Sequence, residues 1–477
     1  MNVKAITRNV GTALLVNALF MFFAICVSVA KGNDSALTAL VISFLITFTV
    51  GIFPYIFVRK TPAITMKEGY LIIFLSWLLS FIFGMLPYVL WGGPFTVENA
   101  WFESVSGFTT TGSTILENIE ALPDSLLFWR SATHFIGGLG VVVFLLLIIP
   151  TASPVRLRLT NMELSSLSRE GYNTRANRTV YIFAYVYVGL AVVSFLCYWA
   201  AGMKPIDAIC HAFSVSATGG FSTKNLSIAA FDSRLIEGLT MLFMLLSSLH
   251  FGSVYMAVVT RSLKPFNNSV VKMYLGTLVA FTLLLALTMR PIGIWDSAFH
   301  VICIASTTGF ATIDNTSWPL AGNLVLLGLG IMCGCAGSTS GGLKVDRVLI
   351  FLKAVKLQIS RILHPSEVHE MRFGSSVLAE RDIIPHLLYS ALYFFVLLVS
   401  FALAVGMGLS GENAFFASLS SLGNVGPAIN ELGSVGNFNG LPSAAKFLFT
   451  IDMFLGRIEI FPVLAVFGMM LNIGRRR

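Results

Sequence analysis

The chain predicts an all-α polytopic membrane protein of about ten spans, four of them preceded by a short helix that dips into the membrane and turns back. Three observations carry this. Hydrophobic residues make up 56% of the 477 and charged residues only 11%, with a mean hydropathy of +0.82; a soluble domain carries roughly a quarter charged residues. Apolar runs of about 18 or more residues, enough to cross a bilayer, recur throughout. Between them, four times, a short amphipathic stretch runs into a turn of small residues centred on glycine.

The apolar runs fall at 10–30, 38–57, 70–90, 126–149, 181–201, 236–259, 273–287, 320–335, 386–407 and 445–470. The first is long, lacks a convincing small-residue cleavage site and is followed at once by a second run, so it reads as an uncleaved helix and not a signal sequence. Basic residues crowd at 4–8, 59–67, 156–178, 261–272, 344–381 and the tail 475–477. The intervening loops carry few: Lys31, Lys204, Lys224, Arg234, Arg290 and Lys446. The positive-inside rule then places both termini in the cytoplasm. The net charge of +8 is topological: basic runs beside spans touch anionic lipid, and no nucleic-acid partner is expected.

The four turns read SGFTTTGST at 106–114, SATGGFST at 216–223, STTGFAT at 306–312 and SLGNVGPA at 421–428. Upstream of each stands a helix-start residue, Asn99, Asp207, Asp296 or Asn413, expected as an N-cap. The chain therefore divides into an N-terminal two-span segment (1–66) and four repeats, at 67–152, 153–262, 263–382 and 383–477. Each repeat holds two spans, so all four turns enter from the side opposite the basic loops. The copies can surround one central pathway along the membrane normal, whereas inverted repeats would place alternate turns on opposite faces.

That layout suits a cation pore. A monovalent cation must exchange its water for oxygens, which rings of backbone carbonyls supply. Glycine allows the backbone to aim carbonyls at an axis with no Cβ in the way, and the partly negative C-terminus of each short helix favours a cation beyond it. Glu98, Glu103, Glu117, Glu120, Asp124, Asp314 and Glu431 lie in the nearby outer segments. They either focus cations at the mouth or are solvated loop charges.

These turns and spans resemble the Trk/Ktr/HKT potassium transporters, within them the bacterial TrkH type, over nearly the whole chain from about Tyr70 onward; the two extra N-terminal spans also resemble that branch. The resemblance implies four pseudo-fourfold repeats of potassium-channel type, each a span, a pore loop and a span, with a filter glycine in every copy. Mapped by motif, those are Gly112, Gly219, Gly309 and Gly423. The ion-facing carbonyls then come from Thr110, Thr111, Thr218, Thr308, Leu422 and Asn424. Glycine in all four copies implies potassium over sodium. Leu422 stands where the other turns have Thr, the fourth turn continues Asn424-Val425-Gly426-Pro427, and no copy has the full Thr-Val-Gly-Tyr-Gly. The filter is therefore expected to be asymmetric.

The segment 334–342, GCAGSTSGG, interrupts the second span of repeat three. Small residues at membrane depth form irregular backbone only where protein or water covers it. In the TrkH and KtrB families the matching segment is an intramembrane gate, which makes Gly334, Gly337, Ser338, Thr339, Ser340, Gly341 and Gly342 gate residues. Lys344 and Arg457 are candidates for the gate's positive charge. The alternative for Arg457 is a structural pair with Asp452 or Glu459. Arg130 reads as structural or interfacial.

Other chemistry finds no support. Gly328 and Gly330 lie inside an apolar run, where small residues serve helix packing and not dinucleotide binding. No nucleophile–base pair is visible, so no enzyme is expected. Cys333 and Cys335 alone make no metal site, and His211 and His300, at equivalent places in their repeats, read as packing or hydrogen-bonding residues. The longest polar segment is 343–383. The expected function is gated uptake of potassium, the transported ion, with no bound organic cofactor, across the bacterial inner membrane; the alternative is a proton- or sodium-coupled symporter. The resemblance further implies a homodimer with a cytoplasmic nucleotide-binding regulatory subunit of the TrkA type.

Overall fold

The computed structural model describes residues 2–58, 64–148, 176–289, 292–316, 318–366, 370–373, 376–378, 380–428 and 430–473. The basic segment 156–178 lies almost entirely, and the tail 475–477 wholly, outside the described residues. Among the described residues the architecture is all-helical, apart from one antiparallel hairpin in which Met371–Phe373 pairs with Ser376–Leu378. Large apolar side chains, among them Phe53, Tyr185, Val279, Leu287 and Phe395, stand exposed along the outside of the long helices. A surface of that kind is matched by lipid and not by water.

Helices α1 (Val3–Ala30) and α2 (Leu37–Phe57) form the N-terminal pair. They cross closely, because a methyl group on Gly11 would stand 2.6 Å from the carbonyl oxygen of Gly51. Small residues allow such approach between membrane helices. The stretch expected as repeat one contains α3 (Met66–Gly84), which starts one residue earlier, α4 (Leu86–Trp91), the short helix α5 (Val97–Phe108) and α6 (Asp124–Ile148); the other repeats are named below by the same expected division. The expected run at 70–90 is thus divided at Met85, just before Pro87, which cannot continue the hydrogen-bond ladder.

In repeat two come α7 (Ala176–Ala200), the short helix α8 (Pro205–Ala217), α9 (Arg234–Ser248) and α10 (Phe251–Thr260). The third contains α11 (Ser269–Thr288), the short helix α12 (Ile294–Ala305), α13 (Leu320–Met332) and α14 (Val345–Leu363). The fourth contains α15 (Glu380–Gly406), the short helix α16 (Gly411–Gly423), α17 (Ser443–Ile458) and α18 (Ile460–Ile473).

Six helices among the described residues are long and apolar enough to cross a membrane, and the pair α9–α10, bent by 109°, makes a seventh. The last run, expected as one span at 445–470, is broken at Glu459, whose φ is +70. The segment 343–383 is not a polar loop as expected. Its first half is largely α14, which leaves Phe351, Leu352, Val355, Ile359, Ile362 and Leu363 exposed.

Asn99, Asp207, Asp296 and Asn413 are not N-caps. The caps are Thr96, Lys204, Gly293 and Ser410, which puts each named residue in the third helical position. There Asp207 accepts a hydrogen bond from Thr223 Oγ1 at 2.6 Å, Asp296 accepts one from Thr312 Oγ1 at 3.4 Å, and Asn413 accepts one from Asn430 Nδ2 at 3.1 Å. A third-position oxygen pointing back along the helix can tie down the strand that returns from the turn.

Candidate ion pathway

Each short helix ends in the same way. Thr110, Thr218, Thr307 and Asn424 adopt the left-handed conformation, with φ between +51 and +61. The next N–H, of Thr111, Gly219, Thr308 or Val425, reaches back to the carbonyl of Ser106, Ser214, Cys303 or Ser420 at 2.8–3.0 Å. This is the pattern of a Schellman C-cap. A glycine with positive φ follows: Gly112 at +86, Gly220 at +83, Gly309 at +81 and Gly426 at +100.

The four glycines close a ring. A methyl group on Gly112 would stand 2.1 Å from the carbonyl oxygen of Gly219, and one on Gly220 would stand 1.9 Å from that of Thr308. On Gly309 it would stand 2.6 Å from that of Val425, and on Gly426 2.5 Å from that of Thr111. Each repeat therefore presses its glycine against the next repeat's carbonyl, and the fourth returns to the first.

This geometry corrects the register in two repeats. The residue equivalent to Gly112 is Gly220 in repeat two and Gly426 in repeat four, not Gly219 and Gly423. Gly219 precedes the ring glycine, in a place where a Cβ would meet the His134 ring at 2.3 Å. Gly423 is the last residue of α16, and Leu422 lies buried within that helix. The physical reason is the cap: Asn enters the left-handed region at little cost, whereas Leu does not. Asn424 therefore heads the fourth turn, and Val425 and Gly426 take the places expected for Leu422 and Gly423. In repeat three the left-handed residue is Thr307, followed by Thr308 and Gly309 as expected.

A second layer braces the ring. Ser106 Oγ donates to Ser113 O at 2.6 Å, Ser214 Oγ to Phe221 O at 2.7 Å, and Cys303 Sγ to Phe310 O at 2.9 Å. The hydroxyl of their counterpart Ser420 has no partner among the described residues, so repeat four departs from the others here too. One helix position carries Glu103, His211, His300 and Ala417 in turn. Glu103 is fully buried and pairs with Arg130 at 2.5 Å, so it is not a solvated outer charge. It also accepts from Thr114 Oγ1 and from the N–H of Ile115. The Arg130 guanidinium lies 3.6 Å from the Phe221 ring centroid and donates to Ser222 O. His211 and His300 bridge helix to turn in the same way, through Asp207 O and Ser222 Oγ and through Asp296 O and Ile313 O. Among the described residues, no group of three metal-ligating side chains occurs.

The 334–342 segment lies against the C-terminal ends of the short helices. Thr339 Oγ1 is 3.0 Å from Ser216 O and 3.2 Å from Ser247 O, and the Gly341 N–H donates to Thr307 Oγ1 at 3.0 Å. A methyl group on Gly341 would stand 2.5 Å from Gly423 O, and one on Gly337, at φ +74, would stand 2.4 Å from the His250 ring. Gly334 packs on Ser340, and Gly342, at φ +68, packs on Cys333. Ser338 and Ser340 bond to each other at 2.7 Å.

Arg457 donates to Thr339 O at 2.7 Å and to Gly137 O at 3.2 Å, joining this segment to α6 of repeat one. It pairs with neither acid on its own stretch of chain. Asp452 is hydrogen-bonded to Ser400, and Glu459 accepts from Arg347 at 2.7 Å. Five residues turn a helix through about 140°, which sends Asp452 and Arg457 to different faces. Lys344 lies 3.9 Å from Glu459, beside Arg347 and away from the Arg457 contacts. Asp346 secures the segment's other end, accepting from the Ala336 N–H at 2.6 Å. Sequence reasoning missed Gly137, His250 and Asp346, and named Glu459 only as a possible partner of Arg457, whereas its partner is Arg347; the Gly137-Gly138 pair inside an apolar run was a usable signal for the first.

The family model for "Cation transport protein" (TrkH) matches residues 36–295 and 290–475. The Trk system potassium uptake protein TrkH of Salmonella typhimurium is 32% identical over 98% of this chain and 99% of its own length. The protein of that name from Halomonas elongata is 33% identical, covering 98% of each. The crystal structure of the potassium transporter TrkH from Vibrio parahaemolyticus superposes with a TM-score of 0.86 at 29% identity, over 97% of this chain and 98% of that one.

Proposed function

This chain belongs to the TrkH family of cation transport proteins, and we propose that it takes up potassium through the ring of Thr111, Gly219, Thr308 and Val425 carbonyls. The chain is a multi-pass membrane protein and, like its relatives, a transporter and not an enzyme. The observation that carries the potassium reading is the closed ring: four carbonyls from four repeats, each held by a glycine that admits no side chain. Such oxygens replace an ion's hydration shell. The Thr110, Thr218, Thr307 and Asn424 positions form the next layer, and selectivity for potassium over sodium is assigned to these carbonyl oxygens, which replace the ion's water. The 334–342 segment is the gate, with Arg457 its positive charge. Expression in a cell unable to import potassium tests the reading. Growth on limiting potassium, with rubidium but not sodium competing for uptake, is expected; no restoration by a well-expressed chain overturns it.

The relatives' names place them in a Trk system, so this chain works with other components of such a system. We assign it to the bacterial inner membrane with both termini cytoplasmic, as a homodimer bound by a nucleotide-binding subunit of the TrkA type. The apolar face of α14, which flanks a groove of about 350 Å³ lined by Phe351, Val355, Ile384 and Leu387, supports the pairing. Light scattering of the detergent-solubilised protein is expected to give the mass of two chains; a one-chain mass removes the dimer.

A further inference from the structure

Asp452 is 2% exposed, midway along α17. Among the described residues its hydrogen-bonded neighbour is Ser400 Oγ, on α15, which also lies 3.0 Å from Ser418 Oγ, on the short helix α16. None of the salt bridges among the described residues includes it. The basic residues on its own helix are held elsewhere, Lys446 by Asn99 Oδ1 at 2.8 Å and Arg457 by Thr339 and Gly137. On the elements packed against α17, Glu103 of α5 is held by Arg130 and Glu459, ahead of α18, by Arg347. Tyr393 of α15 is the nearby titratable group, and its hydroxyl is buried without a partner. On α16 the acid is Glu412, in the first turn.

We propose that Asp452 is a proton-binding site, read by the fourth short helix through Ser400 and Ser418. A carboxylate buried inside a membrane protein with no cation beside it costs far more than one hydroxyl can return. The single hydrogen of Ser400 sharpens the point. When Asp452 carries a proton, its O–H donates to Ser400 Oγ, leaving the Ser400 hydrogen for Ser418. When the proton leaves, Ser400 must turn its hydrogen to the carboxylate, and Ser418 must donate where it had accepted. Ionisation thus reverses the hydrogen bonding at α16. Next to Asp452, the Met453 carbonyl accepts from Asn424 Nδ2 at 2.9 Å, and that amide also reaches Thr111 Oγ1 at 3.0 Å. The proton is therefore one residue from a contact that spans two repeats of the ring. Asn424 Oδ1, Ser420 Oγ and Ser421 Oγ have no partners among the described residues, so this end of α16 has hydrogen-bonding capacity with which to respond.

Infrared difference spectroscopy of the full chain in liposomes reads the proton directly, and its outcome does not depend on which ion is carried; the effect on flux does rest on the proposed function. At neutral pH the wild type is expected to show a protonated-carboxyl stretch that Asp452→Asn lacks and that alkaline pH removes. Potassium flux in the wild type is expected to fall about fivefold or more over that same alkaline range, while Asp452→Asn stays level. Ser418→Ala, the second variant, is expected to keep the band and lose the alkaline fall. Absence of the band at neutral pH overturns the site. A band with pH-independent wild-type flux overturns its coupling to the ring. A folded protein that shows the band but carries no potassium counts against the proposed function and leaves the proton site standing.

Discussion

Gly426→Ala is expected to destroy potassium selectivity, whereas Gly423→Ala, three residues earlier, leaves it nearly intact. At Gly426 the added methyl group would stand 2.5 Å from Thr111 O on backbone at φ +100. The left-handed conformation alone costs an alanine ~1–2 kcal/mol, and the overlap pushes the Thr111 carbonyl out of the ring. A tenfold loss in the potassium-to-sodium permeability ratio corresponds to about 1.4 kcal/mol, so at least that loss is expected. Gly423 is helical, and the nearest atoms to its added methyl group are Val425 Cγ2 at 3.1 Å and Gly330 O at 3.3 Å. These need only small shifts, and alanine favours a helix over glycine by about 1 kcal/mol. Permeability ratios in liposomes decide between the two registers. Loss of selectivity in Gly423→Ala with none in Gly426→Ala would return the fourth ring position to Gly423.

Arg457→Ala is expected to raise flux by about tenfold or more. A fixed positive charge roughly 4 Å from a passing cation, at an effective dielectric near 20, opposes it by about 4 kcal/mol. The same side chain also pins Thr339 to α6, so its removal frees the 334–342 segment. Two hydrogen bonds to a charged group, each worth about 1.5–3 kcal/mol, are lost. Relief from burying a cation without a carboxylate offsets them. Asp452 and Glu459 keep their own partners in the variant, so no acid is stranded. Flux per folded molecule and the detergent melting temperature are the measurements. Higher flux with a shift of only a few degrees supports the gate; a large loss of stability without gain in flux leaves Arg457 a structural tie.

Much of this was legible in one dimension. The turns at 106–114 and 306–312 announced Thr-Thr-Gly, and both ring glycines stand where the motif put them. Repeats two and four were misread by one and three positions, for a local reason. Gly219-Gly220 offers two glycines, and Gly423 and Gly426 offer two more; composition does not say which of a pair takes positive φ. Glu103 looked like a mouth charge because its partner Arg130 lies in the next helix, and nothing in the spacing pairs them. The same holds for Arg347 and Glu459, more than a hundred residues apart.

The sequence by itself determined the solvent, the order of long and short helices, the four glycine turns, the irregular segment at 334–342 and the presence of Arg457 in the last apolar run. All of these follow from hydropathy and backbone preference, which act within a few residues. The tertiary structure alone decided which glycine faces which carbonyl, that the long helices break at Leu249–His250 and Glu459, and that Arg457 grips two carbonyls and not an acid. Those outcomes depend on close approach between segments from different repeats. There a single Cβ or a single unpaired charge outweighs any local preference.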